Sequence, residues 1–417
     1  PPQLTRAVRA AKMEAIFAKP FIAALSGHMD GVYCTAVSSK SLVGFLSGSC
    51  DGEVRVWDLM SQKTLWAVPA HAGFVRGLCI TPDGSRFLTV GSDGVKMWPL
   101  TAAPPASSSD GGIDVRDVLG LGDVMRLSPC PRALSHHWTR SRFASCATHV
   151  DVWDHNRSEP VHSFSWGADS VVSLAWNPAE AHLLASTGSD RGVALYDVRG
   201  GSPAKKLILT MRSNKVAWNP REPFHFTVGN EDHNCYTFDI RKLDSALMVH
   251  KDHVGPVMDV AYSPTGREFA TASYDRTVRI FKVTKGRSRY VYHTSRMQRV
   301  FTVNYTPDAK FVLSGSDDTN VRIWKTERAA SLGRDLPRER ASKDYMESLK
   351  RKYAHMPEVR RIVQHRHVPR VIVSTKKRER IIAESERRKD RNVRRNSRPG
   401  SVVTEPERKR RIVKVED

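Results

Sequence analysis

Three types of residue that could together catalyse a hydrolysis reaction recur along the sequence. A His, a Ser or Thr and an Asp recur in the same order as His28, Ser47 and Asp51, as His71, Thr89 and Asp93, and as His253, Thr271 and Asp275. Such a trio supplies the base, the nucleophile and the orienting acid of serine hydrolases. Two further histidine sets, His136 with His137 and His365 with His367, are candidate general bases.

The surroundings of these residues argue against catalysis. None of them lies in a Gly-rich nucleotide loop, in a metal-ligand spacing or in the turn that exposes a catalytic serine. The cysteines lack a Cys-x-x-Cys pair, which is typical of buried thiols in a reducing compartment, and they are Cys34, Cys50, Cys79, Cys130, Cys146 and Cys235. We therefore expect no catalytic residue, no metal site, no cofactor and no small-molecule substrate.

The elements that must position these residues are repeated strands. Seven segments combine small residues, a turn and alternating apolar residues, and they end on Trp57, Trp98, Trp153, Tyr196, Phe238, Phe281 and Trp324. The successive spacings are 41, 55, 43, 42, 43 and 43 residues. Alternation with a period of two predicts strands, and turn pairs such as Asp51-Gly52 predict tight hairpins. The long interval contains the Pro- and Ser-rich segment 99–112, which predicts an inserted loop over about 101–132.

Copies of this length that end in Trp-Asp resemble the WD-repeat family, whose unit is a four-stranded propeller blade. The resemblance implies an all-β fold, a closed seven-bladed β-propeller over 21–325. The strand at 21–25 would complete the last blade, which removes two free sheet edges. Apolar residues at helical spacing predict that 1–20 form a helical lead-in.

The same resemblance implies a structural role for the His, Ser or Thr, and Asp sets. In WD repeats these side chains form a buried network with the Trp that closes the repeat. The residues that match this network are His28, Ser47, Asp51, Trp57, His71, Thr89, Asp93, Trp98, His253, Thr271, Asp275, Ser314, Asp318 and Trp324. A buried Asp is tolerated only when it is hydrogen-bonded, so we expect these sets to hold the hairpins in register.

The formal net charge of +22 is concentrated at the two ends of the chain. Residues 326–417 contain 28 Lys and Arg against 14 Asp and Glu, and the first 20 residues add a net charge of +3. This distribution predicts a polyanionic partner, most often nucleic acid, for the C-terminal extension. No apolar run approaches the ~18 residues of a membrane span, so no membrane partner is expected.

Two blocks at the ends of the chain are more specific than the repeats. The segment AKPFIAALSGHMDGV (18–32) and the segment KDYMESLKRKYAHMPEVRRIVQHRHVPR (343–370) resemble the Sof family of WD-repeat proteins. Members of that family are non-catalytic scaffold subunits of the small-subunit processome in the nucleolus. The resemblance implies pre-rRNA, the U-three small nucleolar ribonucleoprotein and other processome proteins as partners, and a nuclear and nucleolar location. We expect residues 326–417 to form a basic Sof-like extension that is largely helical or extended.

Within the extension, Ala341, Tyr345, Leu349 and Tyr353 recur every four residues and predict a helical face that docks on protein. Arginine and histidine side chains can hold phosphates and stack on unpaired bases. The candidate RNA-binding residues are Arg351, Lys352, Arg360, Arg361, His365, Arg366, His367, Arg370, Lys376, Lys377, Arg378, Arg387 and Arg388. Residues 376–398 lack the apolar content of a core and are expected to be disordered or loosely helical without a partner. The alternative to RNA binding is a solvated basic tail that serves as a nuclear import signal, and for ERKRR (407–411) import alone is the favoured interpretation.

A second hypothesis is a substrate receptor of a cullin-RING ubiquitin ligase. Some WD-repeat receptors dock on the ligase adaptor through Trp/Tyr-Asp-x-Arg boxes at the ends of two consecutive repeats. The matching residues here are Tyr196, Asp197 and Arg199 in YDVR, and Phe238, Asp239 and Arg241 in FDIR. An Arg at this place also brackets the strand end of an ordinary propeller, so the motif alone leaves both interpretations open.

Overall fold

The repeats fold into antiparallel sheets because their apolar residues alternate along the chain and turn residues separate the runs. The computed structural model describes residues 2–42, 44–100, 122–125, 131–157, 159–167, 170–398, 401–402 and 405–416. Within these residues, seven sheets form the blades of a propeller. The innermost strand of each blade contacts the innermost strand of the next, and the seventh contacts the first, so the ring is closed.

Each blade contains at least four strands. Blade 1 contains β2 (Val32–Val37), β3 (Gly44–Ser49), β4 (Glu53–Asp58) and β5 (Lys63–Pro69), and blade 2 contains β6 (Gly77–Ile80), β7 (Arg86–Gly91), β8 (Gly94–Pro99) and β9 (Gly122–Met125). Blade 3 contains β10 (Ala133–His136), β11 (Arg142–Cys146), β12 (Val150–Asp154) and β13 (His162–Phe164), and blade 4 contains β14 (Val171–Trp176), β15 (Leu183–Gly188), β16 (Gly192–Asp197) and β17 (Pro203–Leu209). Blade 5 contains β18 (Ser213–Trp218), β19 (His225–Asn230), β20 (Asn234–Asp239) and β21 (Met248–Lys251), and blade 6 contains β22 (Val257–Tyr262), β23 (Glu268–Ser273), β24 (Val278–Lys282) and β25 (Ser288–Tyr292).

Blade 7 closes the ring with strands from both ends of the propeller. It contains β26 (Val300–Tyr305), β27 (Phe311–Ser316) and β28 (Val321–Lys325), and its fourth strand is β1 (Phe21–Leu25). The strands β1 and β28 are antiparallel, with Phe21 opposite Trp324 and Leu25 opposite Val321. The prediction of a closed seven-bladed propeller, with 21–25 as the closing strand, is confirmed.

The apolar core lies between adjacent blades. Trp57, for example, is 1% exposed and packs in a cluster that joins blade 1 to Leu313, Val321 and Ile323 of blade 7. The corresponding Trp98 and Trp324 are also 1% exposed. Burying aromatic side chains of this size contributes strongly to stability, at about 25 cal/mol per Å² of apolar surface.

The predicted insertion at 101–132 differs from a simple loop. Residues 122–125 form β9, which pairs with β8 and completes blade 2, while Ala133 already begins β10. The structure therefore places a blade strand inside the segment that the composition marks as a loop. Residues 101–121 and 126–130 lie outside the described residues, and their predicted loop role stays a prediction.

In the part of the chain that the structure describes, four helices and one strand flank the propeller. They are α1 (Pro2–Phe17), α2 (Pro337–Lys352), α3 (Pro357–Val363), α4 (Arg370–Asn396) and β29 (Ile412–Glu416). Of the two expectations for the segment after Lys376, disorder differs from the structure and a helix agrees with it, because α4 is continuous over 27 residues. Its residues combine long unbranched side chains of high helix propensity with ion pairs such as Arg380–Glu384 at four-residue spacing. Among the described helices, none has an apolar stretch long enough to cross a membrane.

Candidate functional site

The His, Ser or Thr, and Trp sets are joined inside the blades. His28 Nε2 lies 2.6 Å from Ser47 Oγ, and Trp57 Nε1 donates to the same oxygen at 2.7 Å. His71, Thr89 and Trp98 repeat this arrangement at 2.9 and 3.0 Å. The hydroxyls of Ser47, Thr89, Thr271 and Ser314 belong to residues with no exposed surface, so a substrate could not reach them as nucleophiles.

The Asp residues of these sets have different hydrogen-bond and ion-pair partners in different blades. In blade 6, His253 Nδ1 lies 2.8 Å from Asp275 Oδ2 and its Nε2 lies 2.6 Å from Thr271 Oγ1, so that set is complete although Phe281 replaces the Trp. In blade 1, Asp51 instead accepts the backbone N–H groups of Met29 and Glu53. In the other two sets, Asp93 lies 3.7 Å from His71, and Asp318 pairs with Arg322 while Trp324 donates to Ser314.

Two other clusters of side chains resemble a catalytic or a metal-binding site. His136 contacts His155 through their Nε2 atoms at 2.9 Å, and His137 Nδ1 accepts the backbone N–H groups of Thr139 and Arg140. These histidines therefore hold the start of blade 3 in place. A potential metal-ligand group of His28, Asp51 and Glu53 also occurs, but each carboxylate is engaged, by the backbone N–H groups of blade 1 or by Arg55.

The C-terminal extension packs against the N-terminal helix. Leu349 of α2 and Val359 of α3 are buried against Ala7 of α1, and Tyr353 is packed at the edge of this cluster. Lys350 forms an ion pair with Glu14, also across α1 and α2. Of the predicted docking face, Leu349 and Tyr353 therefore pack within the chain. Ala341 and Tyr345 are exposed, because α1 covers only the C-terminal turns of α2, and docking of these two residues on another protein stays a prediction.

A buried carboxylate anchors the extension to the propeller. Asp252, in the loop between blades 5 and 6, is 7% exposed and accepts hydrogen bonds from the backbone N–H and hydroxyl of Ser288 at 2.8 and 2.6 Å. The same carboxylate binds Arg366 and lies 3.1 Å from Lys376 Nζ. Burial acts to raise the pKa of Asp252, but Lys376, Ser288, Arg366 and Arg279 outweigh it and hold that pKa well below its usual range.

This contact changes the role of two predicted RNA-binding residues. Arg366 and Lys376 point at Asp252 rather than at solvent, so the structure places them in the attachment of the extension. His367 is also used internally, since its ring stacks on His293 with 5.0 Å between ring centroids. A sequence pattern of clustered cations gives no sign of a carboxylate partner more than a hundred residues away.

The other predicted RNA-binding residues lie on the surface of the extension. Arg351 pairs with Glu347 of its own helix, and Lys352 donates to Gln3. The side chains that are exposed without a described ion pair are Arg360, Arg361, His365, Arg370, Lys377, Arg378, Arg387 and Arg388. The part of α4 from Lys377 to Asn396 is exposed over almost its whole surface. This segment is the largest basic surface of the extension that the propeller leaves open.

The last strand was missed by the sequence analysis. β29 pairs antiparallel with β17, so blade 4 has a fifth strand, with Leu207 opposite Val415 and Leu209 opposite Ile412. The preceding basic run is attached as well, because Glu407 pairs with Lys251 and the carbonyl of Arg411 accepts the N–H of Thr210. The alternation in IVKVE was a weak signal for a strand, and nothing near it in the sequence indicated β17 as its partner.

The two Asp-x-Arg boxes lie at matching places in blades 4 and 5. Arg199 donates to both carboxylate oxygens of Asp197, at 3.1 and 2.9 Å, and Arg241 does the same to Asp239, at 3.2 and 3.1 Å. These hydrogen bonds lower the pKa of Asp197. Tyr196 and Phe238 are buried in their blades, whereas the two arginine side chains are 68% and 65% exposed. The guanidinium groups therefore form a pair of fixed, solvent-facing cations.

A closed seven-bladed propeller that carries a docked basic extension defines a WD-repeat protein. Comparison with known families gives the same class. The WD domain, G-beta repeat, matches residues 19–58, 62–98, 158–197, 245–282 and 286–325, and the Sof1-like domain matches residues 328–412.

Whole-chain relatives identify the family. The chain is 47% identical over 416 residues to DDB1- and CUL4-associated factor 13 of Xenopus tropicalis, which covers 100% of this chain and 91% of the relative. The human protein of the same name is 46% identical with the same coverage. Protein SOF1 of Saccharomyces cerevisiae is 41% identical over 425 residues, covering 99% of this chain and 86% of the relative. The chain belongs to the Sof1 family of WD-repeat proteins.

Proposed function

We propose that this protein is a non-catalytic scaffold subunit of the small-subunit processome in the nucleolus, where it supports pre-rRNA processing. The propeller binds neighbouring processome proteins, and the basic extension binds pre-rRNA and the U-three small nucleolar ribonucleoprotein. Support comes from the family relationship to Protein SOF1, from the burial of the Ser47, Thr89, Thr271 and Ser314 hydroxyls, which a substrate could not reach, and from the charge of the extension.

The observation that carries the RNA-binding part is the exposed length of α4. From Lys377 to Asn396 this helix has nine Lys and Arg against four Asp and Glu, over 20 residues or about 30 Å. Phosphate contacts by such side chains release counterions and provide sequence-independent affinity. Asp252 fixes the first turns of α4 through Lys376, and the exposed part of the helix follows directly after this attachment.

The test reverses charge in the open part of α4. In the full chain, Arg387→Glu with Arg388→Glu should reduce the recovery of precursor rRNA after ultraviolet crosslinking in cells by at least about tenfold, since phosphate attraction becomes repulsion. The matched control is Arg338→Glu with Arg340→Glu, the same charge change on exposed α2 residues. Equal losses in the two proteins, or unchanged recovery in the α4 variant, would contradict the proposal.

A second function, docking on a cullin-RING ligase adaptor, is favoured by the paired arginines. The exposed guanidinium groups of Arg199 and Arg241 lie at matching places in consecutive blades, and Arg241 stacks over Phe224 with 4.7 Å between its Cζ atom and the ring centroid. A planar cation held in this way suits an acidic groove on a partner. The name of the animal relatives refers to DDB1 and CUL4, which makes DDB1 the adaptor to test.

The arginine pair can be tested separately from RNA binding. We expect Arg199→Ala with Arg241→Ala to weaken recovery of DDB1 with the full chain by about tenfold while pre-rRNA processing continues. Arg191→Ala with Arg221→Ala removes two exposed arginines outside the boxes and serves as the control. A normal yield of DDB1 from the box variant, or a processing defect in that variant alone, would exclude this role for the pair.

A further inference from the structure

One residue of each blade contributes to a ring at the mouth of the central channel. These residues start the innermost strands, directly after a buried position such as Val32, Val75 or Val300. In blade order the ring consists of Tyr33, Arg76, Arg132, Val172, Asn214, Met258 and Phe301, and all seven line one cavity of about 830 Å³. Because the propeller is closed, blade 7 is next to blade 1. The ring therefore contains an uninterrupted arc of Phe301, Tyr33, Arg76 and Arg132.

The first half of this arc is aromatic. The Tyr33 and Phe301 rings lie 5.7 Å apart between centroids, and Tyr274 packs on Phe301 at 6.0 Å. Tyr33 and Tyr274 remain 40% and 38% exposed although they contact other aromatic rings. Arg299 lies over the Tyr274 ring at 5.3 Å. The aromatic half of the arc is thus partly exposed, with Tyr274 and Arg299 packed beside it.

The second half of the arc is cationic. Arg76 and Arg132 have no carboxylate partner among the described residues, whereas Arg212, which lines the same cavity, pairs with Glu231. Asp259 is the acidic side chain of the described cavity lining, and its oxygens accept hydrogen bonds from the N–H of Val303 at 2.9 Å and from the hydroxyl of Thr302 at 3.0 Å. The acid is therefore satisfied within the propeller, which leaves the charge of the two arginines uncompensated.

We propose that the arc of Phe301, Tyr33, Arg76 and Arg132 is a binding site for a short unpaired stretch of RNA. The aromatic half stacks on bases, and the two guanidinium groups bind the phosphates that follow. This inference rests on the proposed function, since it takes RNA as the polyanion, but it places a second contact on the propeller itself, away from α4.

The order of side chains favours RNA over an acidic peptide. A single-stranded nucleic acid alternates flat apolar rings with phosphates, and its known binding sites combine stacking platforms with cations that follow the backbone. Partly exposed aromatic rings next to unpaired arginines match both features within one arc. An acidic peptide would use the arginines but would leave the aromatic faces without a stacking partner.

The test uses the full chain with the competing helix neutralised. In a background carrying Arg387→Gln, Arg388→Gln, Lys389→Gln and Arg391→Gln, a fluorescein-labelled oligouridine of twelve nucleotides is the probe. Ultraviolet crosslinking followed by mass spectrometry should join uridine to Tyr33, Tyr274 or Phe301. Adding Arg76→Ala with Arg132→Ala should weaken binding of the probe by at least about fivefold and remove these crosslinks. Tyr33→Ala with Phe301→Ala should do the same.

Two controls share the fold but not the arc. Val172→Ala changes the same ring position in blade 4, and Arg157→Ala with Arg221→Ala removes the same charge elsewhere on the surface; both should bind the probe normally. The inference is overturned if the neutralised background binds no oligouridine or crosslinks only outside the arc. It is also overturned if the binding of a labelled decaglutamate peptide requires Arg76 and Arg132 and the binding of the RNA does not. None of these results affects the interpretation of the charge-reversal experiment on α4, because the arc is intact in those variants.

Discussion

Replacing Asp252 with asparagine is expected to lower the free energy of unfolding by about 3–5 kcal/mol, the usual effect of removing one member of a buried charge cluster. The carboxylate faces Arg366, Lys376 and Arg279, and Arg279 has a side chain only 2% exposed. Burial lowers the pKa of Arg279, and the nearby carboxylates counter this effect. Without the charge of Asp252, three cations are left around a neutral amide.

The same substitution should release the extension from the propeller. Hydrogen exchange of α3 and of the first turns of α4 should become faster, because Arg366 and Lys376 lose their partner. Asp335→Asn is the control, since it removes an exposed partner of Lys343 within the extension and should leave both readings unchanged. Equal effects of the two substitutions would show that the buried cluster contributes no more to stability and to attachment of the extension than a surface ion pair does.

A second variant separates attachment from the stability of the propeller. Arg366→Gln with Lys376→Gln removes the extension's half of the contact and leaves Asp252 with Ser288 and Arg279. Faster exchange in α4 with little change in the melting temperature is the expected result. If α4 stays fully protected in this variant, the packing of α1, α2 and α3 holds the extension without Asp252.

Acidification from pH 6.5 to pH 4 should destabilise the propeller strongly. Burial lowers the pKa of His28, His71 and His250 to about 4, below the ordinary value of 6.5. The unfolded chain therefore binds more protons in this window, so stability is fully present above pH 6.5 and is lost as the pH falls towards 4. The three residues are 5%, 3% and 1% exposed, and each contributes about 3 kcal/mol by this linkage.

Urea unfolding at half-unit pH steps measures this loss. Carboxylates that anchor the structure, such as Asp252, have lowered pKa values, so their contribution to stability is lost only below about pH 4. The stability lost between pH 6.5 and pH 4 therefore comes from the histidines. Burial also lowers the pKa of His136 to about 4, so several histidines share this slope. His71→Gln should therefore flatten the slope in part, whereas the same change at the exposed His149 should leave it intact. A stability that stays constant between pH 6.5 and 4.5 would refute the argument.

The sequence predicts the propeller well because each blade carries its own local signals. Aromatic residues at the ends of the repeats, alternating apolar positions and turn pairs all lie within about forty residues of one another. The closing strand could also be predicted, since the segment from Phe21 to Leu25 precedes the first repeat and blade 7 otherwise lacks a strand.

The contacts of the extension could not be predicted because their partners are distant in sequence. Asp252 appears in the sequence as an ordinary loop carboxylate next to His253, and only the fold brings Arg366 and Lys376 to it. The pairing of β29 with β17 joins segments about two hundred residues apart. The arc at the channel mouth is a related case, because blade 7 and blade 1 become neighbours only when the ring closes.

The pairing of Phe21 with Trp324 also sets an order of events during synthesis. The strand that closes blade 7 leaves the ribosome early, but its partner emerges about three hundred residues later, and at 5–20 residues per second that interval lasts roughly 15–60 seconds. Until then the chain has an unpaired strand edge, which is a template for pairing with other chains. Such a high contact order slows folding, so a newly made chain exposes this edge until its last blade is complete.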